Sequence, residues 1–443
     1  MENAVHQTSK IASKAPTTSL CDVSPLDLAD ARSSIHNSDF LGMYNLCIIC
    51  GALYLLNTLI STLWSVQNAF DPSLFQTVFC SYEFVDVVMV LILQCVFSFT
   101  AMIPVYLANA SWSRDSRLLT NVIHHVLQSI FLFGNMTYLI YRDWHIIHIM
   151  IVFIECLVLL MKMHSYTRVQ IQSARSSETN RQRQSFRSFC LFLLFPTLVY
   201  QSQFPRTLAI RPWYLMEKLI ALTLSFAMFY VIVTNHVIPI LNDSGVNDPV
   251  LVISNLLLPF IGCYLMTWFI IFECICNIAA EISMYAKRDF YGDWWNSTTF
   301  EEFARKWNRP VHEFLFHHVY LEGRKSFQMS RTSAMFLTFF LSAAVHECCF
   351  IVVFRALRMY HFVIHMSEIG CIACGNGLKG TRVGNYFYWL AMAFGLPLQA
   401  VLYCREYHGG EPIFLHILMP MMVGSCCFLA VISIFYVSKV RIM

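Results

Sequence analysis

Charge is scarce in this chain. Only 13% of its 443 residues are Asp, Glu, Lys or Arg, about half of the share usual in soluble proteins, whereas 57% are hydrophobic. This balance excludes an ordinary soluble enzyme and predicts an integral membrane protein. The formal net charge of +3 is too small to suggest a nucleic-acid partner.

The N-terminal region lacks the apolar run of a cleavable signal peptide. Residues 1–38 are rich in Ser, Thr, Ala and Asp and have no apolar periodicity, so we expect a disordered cytosolic tail. The first membrane span then serves as the targeting signal. Because no internal repeat and no separate soluble domain is evident, residues 39–443 are expected to form one membrane domain.

Cysteine is not scarce, since the chain has 17. Most lie within apolar runs, where a free thiol behaves as a small buried hydrophobe. CxxC spacings occur at Cys47/Cys50, inside a predicted span, and at Cys371/Cys374, which has no partner pair. Neither favours zinc or redox chemistry, so no metal is expected. A luminal disulfide near Cys371–Cys404 stays open.

Apolar stretches of about 20 residues predict the transmembrane helices. Nine candidates lie near 41–63, 84–107, 122–141, 146–163, 214–235, 250–282, 333–354, 385–404 and 413–437. A weaker one, near 359–376, is interrupted by polar residues and glycines. The stretch 250–282 is too long for one upright helix and should tilt or extend into the cytosol. The predicted fold is all-α and polytopic, with about nine transmembrane helices.

Basic residues predict the orientation in the membrane. Loops 164–189 and 286–331 are rich in Arg and Lys and are separated by two predicted spans, so both are expected to be cytosolic. Arg114 and Arg117 agree with this orientation. The side of the C-terminus depends on whether 359–376 crosses the membrane, and it stays open.

An aromatic stretch follows the long span. Residues 290–296 read Phe-Tyr-Gly-Asp-Trp-Trp-Asn, a composition that does not suit a membrane span. Trp and Tyr favour the bilayer interface, where the ring is apolar and the polar atom stays wet. Composition alone therefore leaves both an interfacial anchor and a functional motif open.

A cytosolic amphipathic helix is predicted next, within loop 286–331. Thr299 and Glu302 fit a capping box, and apolar residues then recur at helical spacing. Pro310 should kink the helix or remove a backbone hydrogen bond near its middle. Such a helix lies on the membrane surface.

Three polar residues of this helix are spaced to share one stripe. Arg305, Asn308 and His312 stand at i, i+3 and i+7. A guanidinium, an amide and an imidazole in a row suit a ligand that carries phosphate and amide groups. The plainer alternative is a solvated polar face.

His346 lies within the apolar run 333–354. A titratable imidazole in a span is costly, so it is either satisfied by a carbonyl of a neighbouring helix or serves as a base in a dry site. Ser342 lies one turn earlier and faces the same way. A metalloprotease His-Glu-x-x-His pattern is excluded, because position 350 is Phe.

Other polar residues also lie inside predicted spans. Glu273, Asn277 and Glu281 stand at i, i+4 and i+8 and form a stripe, which we expect to pack inward or to line a cavity.

Three segments in order carry a resemblance to a known family. They are Phe-Tyr-Gly-Asp-Trp-Trp-Asn at 290–296, Arg-Lys-Trp-Asn-Arg-Pro-Val-His at 305–312 and Ser-Ala-Ala-Val-His-Glu at 342–347. They closely resemble the sterol O-acyltransferase and type 1 diacylglycerol acyltransferase branch of the membrane-bound O-acyltransferase family. Fungal-type sterol enzymes look most similar, and the resemblance covers roughly 190–405.

The resemblance implies roles for individual residues. His346 would be the catalytic histidine, and Asn308 would lie at the catalytic centre or contact acyl-CoA. The positions expected to line the acyl-CoA site are Arg305, His312, Tyr320, Arg331 and Ser342. The residues of the aromatic motif are Phe290, Tyr291, Asp293, Trp294, Trp295 and Asn296.

The resemblance also implies an architecture. Residues 39–443 would form a membrane-bound O-acyltransferase domain, a helical bundle around an internal catalytic chamber, with a cytosolic tunnel for acyl-CoA and a membrane-facing entry for the lipid alcohol. The acyltransferase (EC 2.3.1.-) would be a homo-oligomer of the endoplasmic reticulum membrane. Acyl-CoA would be a co-substrate, and no bound cofactor is expected.

The expected reaction is acyl transfer to a membrane sterol, with His346 as general base and no acyl-enzyme. Diacylglycerol is the alternative acceptor. A transporter that uses Glu273, Glu281 and His346 as an ion path would predict internal repeats, which are not evident. An inactive, binding-only relative would be expected to lack His346 or Asn308, and both are present.

Overall fold

The computed structural model describes residues 24–26, 32–35, 41–63, 73–110, 114–175, 186–242 and 249–407. Within these ranges all regular structure is helical, and strand-like pairing is limited to a bridge between Arg206 and Tyr285. The prediction of an all-α fold is therefore confirmed. The predicted span at 413–437 and most of the tail 1–38 lie outside the described residues.

The helices of the first half are α1 (Leu41–Leu63), α2 (Ser73–Phe79), α3 (Tyr82–Ser98), α4 (Met102–Ala110), α5 (Arg114–Tyr141), α6 (Ile146–Arg175) and α7 (Phe186–Leu194). A 3₁₀ turn at Phe99–Ala101 joins α3 to α4. Pro104 follows one turn later and has no N–H for the carbonyl of Thr100, which explains why the α-helical pattern is interrupted there.

The helices of the second half are α8 (Pro212–Ile232), α9 (Ile238–Asn242), α10 (Pro249–Trp268), α11 (Cys276–Ile282), α12 (Phe300–Lys306), α13 (Arg309–Leu315), α14 (Leu321–Ser326), α15 (Arg331–Phe354), α16 (Tyr360–Gly375) and α17 (Arg382–Tyr407). π-Helical turns join α8 to α9 (Val233–Val237), α10 to α11 (Phe269–Ile275) and α13 to α14 (Phe316–Tyr320). Such turns occur often at functional sites.

Six helical stretches among the described residues are long and apolar enough to cross a membrane. They are Tyr82–Ala108, Ile146–Ser173, Pro212–Leu241, Val250–Ile282, Arg331–Phe354 and Arg382–Tyr403. Each coincides with a predicted span. The spans predicted near 41–63 and 122–141 are helical, as parts of α1 and α5, but are not among the six. The count of nine is therefore not confirmed.

The packing of the helices places α15 at the centre of the candidate site. α15 lies against α16, α6 and the π-helical turn Phe316–Tyr320. α3 and α5 pack on α6, and α10 runs along α17. Large apolar side chains such as Leu93, Trp213 and Leu258 are exposed on the outside of the bundle, as expected of a surface that faces lipid.

Candidate active site

His346 has a fixed hydrogen bond within its own helix. Its Nδ1 lies 2.7 Å from the carbonyl oxygen of Ser342. A carbonyl can only accept, so Nδ1 carries the proton, and in the neutral imidazole Nε2 keeps its lone pair. The imidazole is exposed rather than packed away, and its partner belongs to α15 itself, not to a neighbouring helix. Nε2 therefore keeps a lone pair on an exposed ring.

Two further histidines stack near His346. The ring centroids of His361 and His365 on α16 lie 5.4 and 5.5 Å from that of His346, and all three rings are nearly parallel. His361 donates from Nδ1 to Gln399 Oε1 at 3.0 Å. The Nε2 atom of His361 is buried and has no hydrogen-bond partner among the described residues. Sequence reasoning missed these histidines, although their i, i+4 spacing in a polar-interrupted apolar segment was a signal.

Glu347 fixes α16 beside His346. Its carboxylate is almost fully buried and accepts the backbone N–H of Met359 at 2.8 Å and that of Phe362 at 2.9 Å. The Tyr403 hydroxyl, on α17, donates to the same carboxylate. The N–H groups at a helix start have no partner within the helix, so Glu347 caps α16 from α15. The His361 and His365 rings are held in place by this cap.

The other predicted residues of α15 lie at different distances from His346. Ser342 is partly buried and supplies the carbonyl described above. Arg331 is the exposed first residue of α15, 15 residues before His346. A helix rises 1.5 Å per residue, so the two lie about 22 Å apart along its axis. A ligand that touches both must be elongated.

The predicted amphipathic helix is interrupted at Asn308. α12 ends at Lys306, and α13 begins at Arg309, with Pro310 in its first turn. Asn308 is the N-cap, since its Oδ1 accepts the N–H of Val311 at 3.1 Å. The prediction of a continuous stripe through Arg305, Asn308 and His312 was wrong, because Pro310 starts a new helix instead of kinking one. The predicted cap of α12 is present, with Thr299 Oγ1 accepting the Glu302 N–H at 3.2 Å.

Arg305 and His312 still influence each other across this break. Arg305 pairs with Glu301 at 2.6 Å on the surface of α12. Burial lowers the pKa of His312, and the positive charge of Arg305 lowers it further. His312 is therefore neutral at physiological pH. No hydrogen bond or ring contact joins Asn308 to His346 among the described residues.

The structure brings two of the predicted acyl-CoA residues onto one row of rings. His312 stacks on Phe316 with centroids 6.5 Å apart, and Phe316 stacks on Tyr320 at 5.6 Å. The row runs from α13 along the π-helical turn, which packs against α15. His312 and Tyr320 thus lie on one face of the segment next to the helix of His346.

The aromatic motif 290–296 is part of the core. Phe290, Tyr291 and Trp294 are at most 2% exposed, which does not support an interfacial anchor for these rings. Trp294 lies edge-on to Trp307 and Trp268, with centroids 5.0 and 5.3 Å apart. The motif therefore joins α10 to the segment that contains α12 and α13.

The remaining motif residues are less buried. Asp293 and Asn296 are exposed, and Asp293 pairs with Lys306 at 3.1 Å. The carbonyl of Trp295 accepts the Asn385 side-chain amide at 3.0 Å and the Trp389 Nε1–H at 3.1 Å, both from α17. The motif is thus hydrogen-bonded to α17 through its backbone.

Glu273 is the centre of a buried ion pair. It is fully buried, and its carboxylate accepts from Lys218 at 2.7 Å and from the Tyr291 hydroxyl at 2.6 Å. Ser24 donates to the same carboxylate at 2.5 Å. The composition of the tail did not predict this buried contact of Ser24. For the rest of the tail, disorder stays a prediction.

Glu281 and Asn277 are also fully buried. Glu281 pairs with Arg288 at 2.6 Å and with Arg211 at 3.0 Å, while Arg288 donates to the Asn277 carbonyl at 2.9 Å. The prediction that this stripe packs inward is confirmed. Because each carboxylate is neutralised by fixed cations, the stripe is structural, and the structure offers no support for an ion path along it.

Comparison with known proteins identifies the family. Residues 77–405 match the family model described as MBOAT, membrane-bound O-acyltransferase family. The chain belongs to this family. The matched range contains every candidate residue above, from the aromatic motif to His346 and the α16 histidines.

Individual relatives are similar over about half of the chain. Sterol O-acyltransferase 2 of Saccharomyces uvarum is 35% identical over 250 residues, which are 52% of this chain and 38% of that protein. Sterol O-acyltransferase 2 of Candida albicans is 36% identical over 225 residues, 48% of this chain and 37% of that protein. Diacylglycerol O-acyltransferase 1 of Dictyostelium discoideum is 34% identical over 232 residues, 50% of this chain and 37% of that protein. The alignments span little more than a third of the length of these relatives.

Proposed function

We propose that this protein is an acyl-CoA:sterol O-acyltransferase of the endoplasmic reticulum membrane, with His346 as the general base. The observation that carries the proposal is the hydrogen bond from His346 Nδ1 to the Ser342 carbonyl at 2.7 Å. It fixes the tautomer whose Nε2 can accept a proton. The family of the chain and the names of its sterol relatives support the choice of reaction.

The chemistry needs a base because an alcohol is a poor nucleophile at neutral pH. His346 Nε2 takes the proton of the sterol hydroxyl as its oxygen attacks the thioester carbonyl. The C–S bond then breaks, the ester is formed, and the thiolate of coenzyme A takes the proton back from the imidazolium. No acyl-enzyme is required, so transfer is direct.

Two groups can stabilise the oxyanion that develops in this step. The Oδ1 atom of Asn308 is occupied by the Val311 N–H, which orients the side-chain amide and leaves its NH₂ group as a donor. The hydroxyl of Ser342, one helical turn before His346, is the second group that can donate. Preorganised donors of this kind contribute roughly 100- to 1,000-fold in rate.

Acyl-CoA is proposed to approach from the cytosolic side, along the row of His312, Phe316 and Tyr320. Arg305 and Arg331 are the cations at the outer end of this path, where a nucleotide phosphate would bind. The distance of about 22 Å from Arg331 to His346 along α15 matches an elongated ligand that ends in a thioester. A homo-oligomer, as the resemblance implies, belongs to the same proposal.

Diacylglycerol is the second candidate acceptor, because one of the similar proteins is named for it. The test offers ergosterol or cholesterol and diacylglycerol together, in equal amounts, to microsomes from a host that makes neither neutral ester. Labelled oleoyl-CoA is the donor. Steryl ester as the main labelled product is expected. Triacylglycerol as the main product would replace the proposal with the second candidate, and neither product from folded protein would overturn both.

A further inference from the structure

A second histidine cluster lies away from His346, where three helices and a turn meet. His124 on α5, His164 on α6 and His318 in the π-helical turn are neighbours, and Glu322 on α14 joins them. The His164 ring centroid lies 5.2 Å from that of His124 and 5.4 Å from that of His318. One candidate ligand atom each from His164, His318 and Glu322 lies within 4.8 Å of the other two.

The hydrogen bonds around this cluster follow the pattern of a metal site. His164 Nδ1 lies 3.3 Å from His124 Nε2, and His318 Nε2 lies 2.8 Å from Ser165 Oγ. Each hydrogen bond occupies one ring nitrogen, Nδ1 in His164 and Nε2 in His318, and leaves the second nitrogen of that ring for a metal ion. Histidines that bind metals are held in this way, by a partner on the nitrogen that does not touch the ion.

The carboxylate is held in the same manner. Arg168 forms an ion pair with one oxygen of Glu322, which leaves the second oxygen of the carboxylate. Carboxylates that bind metals are themselves held by hydrogen bonds from neighbouring groups, and Arg168 holds Glu322 in this way.

We propose that His164, His318 and Glu322 bind one Zn²⁺ ion. Two imidazoles and one carboxylate are a zinc ligand set that leaves a fourth position for water. Zn²⁺ ligands at roughly 2.0–2.1 Å from the ion in a tetrahedron lie about 3.4 Å from one another. The candidate ligand atoms here lie within 4.8 Å of one another, so each pair has to approach by about 1.4 Å at most when the ion binds. The cysteine and His-Glu-x-x-His patterns of the sequence do not reveal this site, because His164 lies 154 residues before His318.

The ion would tie α6 to the segment that contains Tyr320. His318 and Glu322 flank Tyr320 on either side, and the turn packs against α15. A metal ion there would hold in place the row of His312, Phe316 and Tyr320, along which acyl-CoA is proposed to bind. The site itself does not depend on acyl transfer or on the acceptor, so it can be tested without an activity assay.

The test uses the full chain in detergent micelles, purified through a tag that contains no histidine and then treated with a chelator. Zn²⁺ binding is measured by competition with a chromophoric chelator. One Zn²⁺ per chain with micromolar or tighter affinity is expected, together with a rise in the thermal unfolding midpoint on addition of Zn²⁺. H318A and E322Q should each weaken binding by at least about 10-fold.

The matched control is H317A, which removes the exposed histidine next to His318. It should bind Zn²⁺ as the natural chain does. Size-exclusion elution shows whether each variant is folded, and the measurement on the natural chain stands without any variant. No Zn²⁺ uptake by the natural chain at 10-fold excess, or an equal loss in H317A and H318A, would overturn the proposal.

Discussion

The carboxylate of Glu347 accepts the backbone N–H of Phe362 at 2.9 Å, which couples the residue after His346 to the first turn of α16. The same carboxylate holds the Met359 N–H and the Tyr403 hydroxyl. Three donors converge on one buried group, so the position of the α16 histidines depends on a single side chain of α15. Glu347 is thus a positioning residue for the ring stack that contains His346.

Glu347→Gln is expected to destabilise the protein and to lower kcat. An amide has one acceptor oxygen, and its NH₂ group faces a backbone N–H that loses its partner, at a cost of about 1–3 kcal/mol. The thermal unfolding midpoint in micelles, followed by tryptophan fluorescence, measures the loss. The matched control is Glu313→Gln, whose ion pair with Lys287 is partly exposed and contributes at most about 1 kcal/mol. Equal shifts in both variants would contradict this role of Glu347.

Gly384→Ala should disrupt the contact between α17 and the aromatic motif. A Cβ atom at Gly384 would lie 2.5 Å from the Leu378 carbonyl oxygen and 2.9 Å from that of Thr298, so backbone must move. Gly395→Ala, in the same helix, is the control, because nothing lies within 4 Å of a Cβ there. We expect a clearly lower unfolding midpoint for Gly384→Ala and an unchanged or raised one for Gly395→Ala. The reverse order would show that this contact does not matter for stability.

The ion pair of Lys218 and Glu273 should show strong coupling. Lys218→Met leaves a buried carboxylate without its cation and is expected to cost about 3–5 kcal/mol. Adding Glu273→Gln removes the uncompensated charge, so the double variant should be more stable than Lys218→Met alone. Unfolding midpoints of the natural chain, both single variants and the double variant form the cycle. Additive losses would mean that the two groups do not interact.

His312 should make stability depend on pH below neutrality. Burial and Arg305 lower its pKa in the folded protein, whereas the unfolded chain binds the proton near 6.5. Unfolding therefore takes up a proton, and stability is lost as the pH falls from about 6.5 towards the lowered pKa. His312→Gln lacks this contribution while Arg305, Arg309 and Glu313 remain. Between pH 7.5 and 5 the natural chain should lose more stability than the variant, and parallel pH curves would exclude the effect.

The sequence predicted the class of fold. Composition and apolar runs sufficed for an all-α membrane protein, because segment length and hydropathy decide whether a helix can span a bilayer. They did not yield a confirmed count of spans, because six stretches qualify among the described residues and the span predicted near 413–437 lies outside them. The ordered motifs gave the family, which the match over residues 77–405 confirms.

The partners of the polar groups could not be predicted. Glu273 is neutralised by Lys218, 55 residues earlier, and His346 stacks with His361 across a helix pair. Such contacts depend on packing that local spacing does not encode. The break at Asn308 was missed for a different reason: Pro310 fits the first turn of a helix as well as a kink, and only the N-cap bond decides between them.

The most direct test of the account is His346→Ala in the acyltransferase assay with labelled oleoyl-CoA and sterol. Within the part of the chain that the structure describes, the hydrogen bond of His346 goes to the Ser342 carbonyl of its own helix, and its ring is exposed, so the variant should fold and elute as the natural chain does. Loss of a general base lowers the rate by roughly 100- to 10,000-fold. We predict that steryl ester formation falls at least 100-fold in folded His346→Ala protein. Full activity in that variant would contradict the role of His346 as the general base.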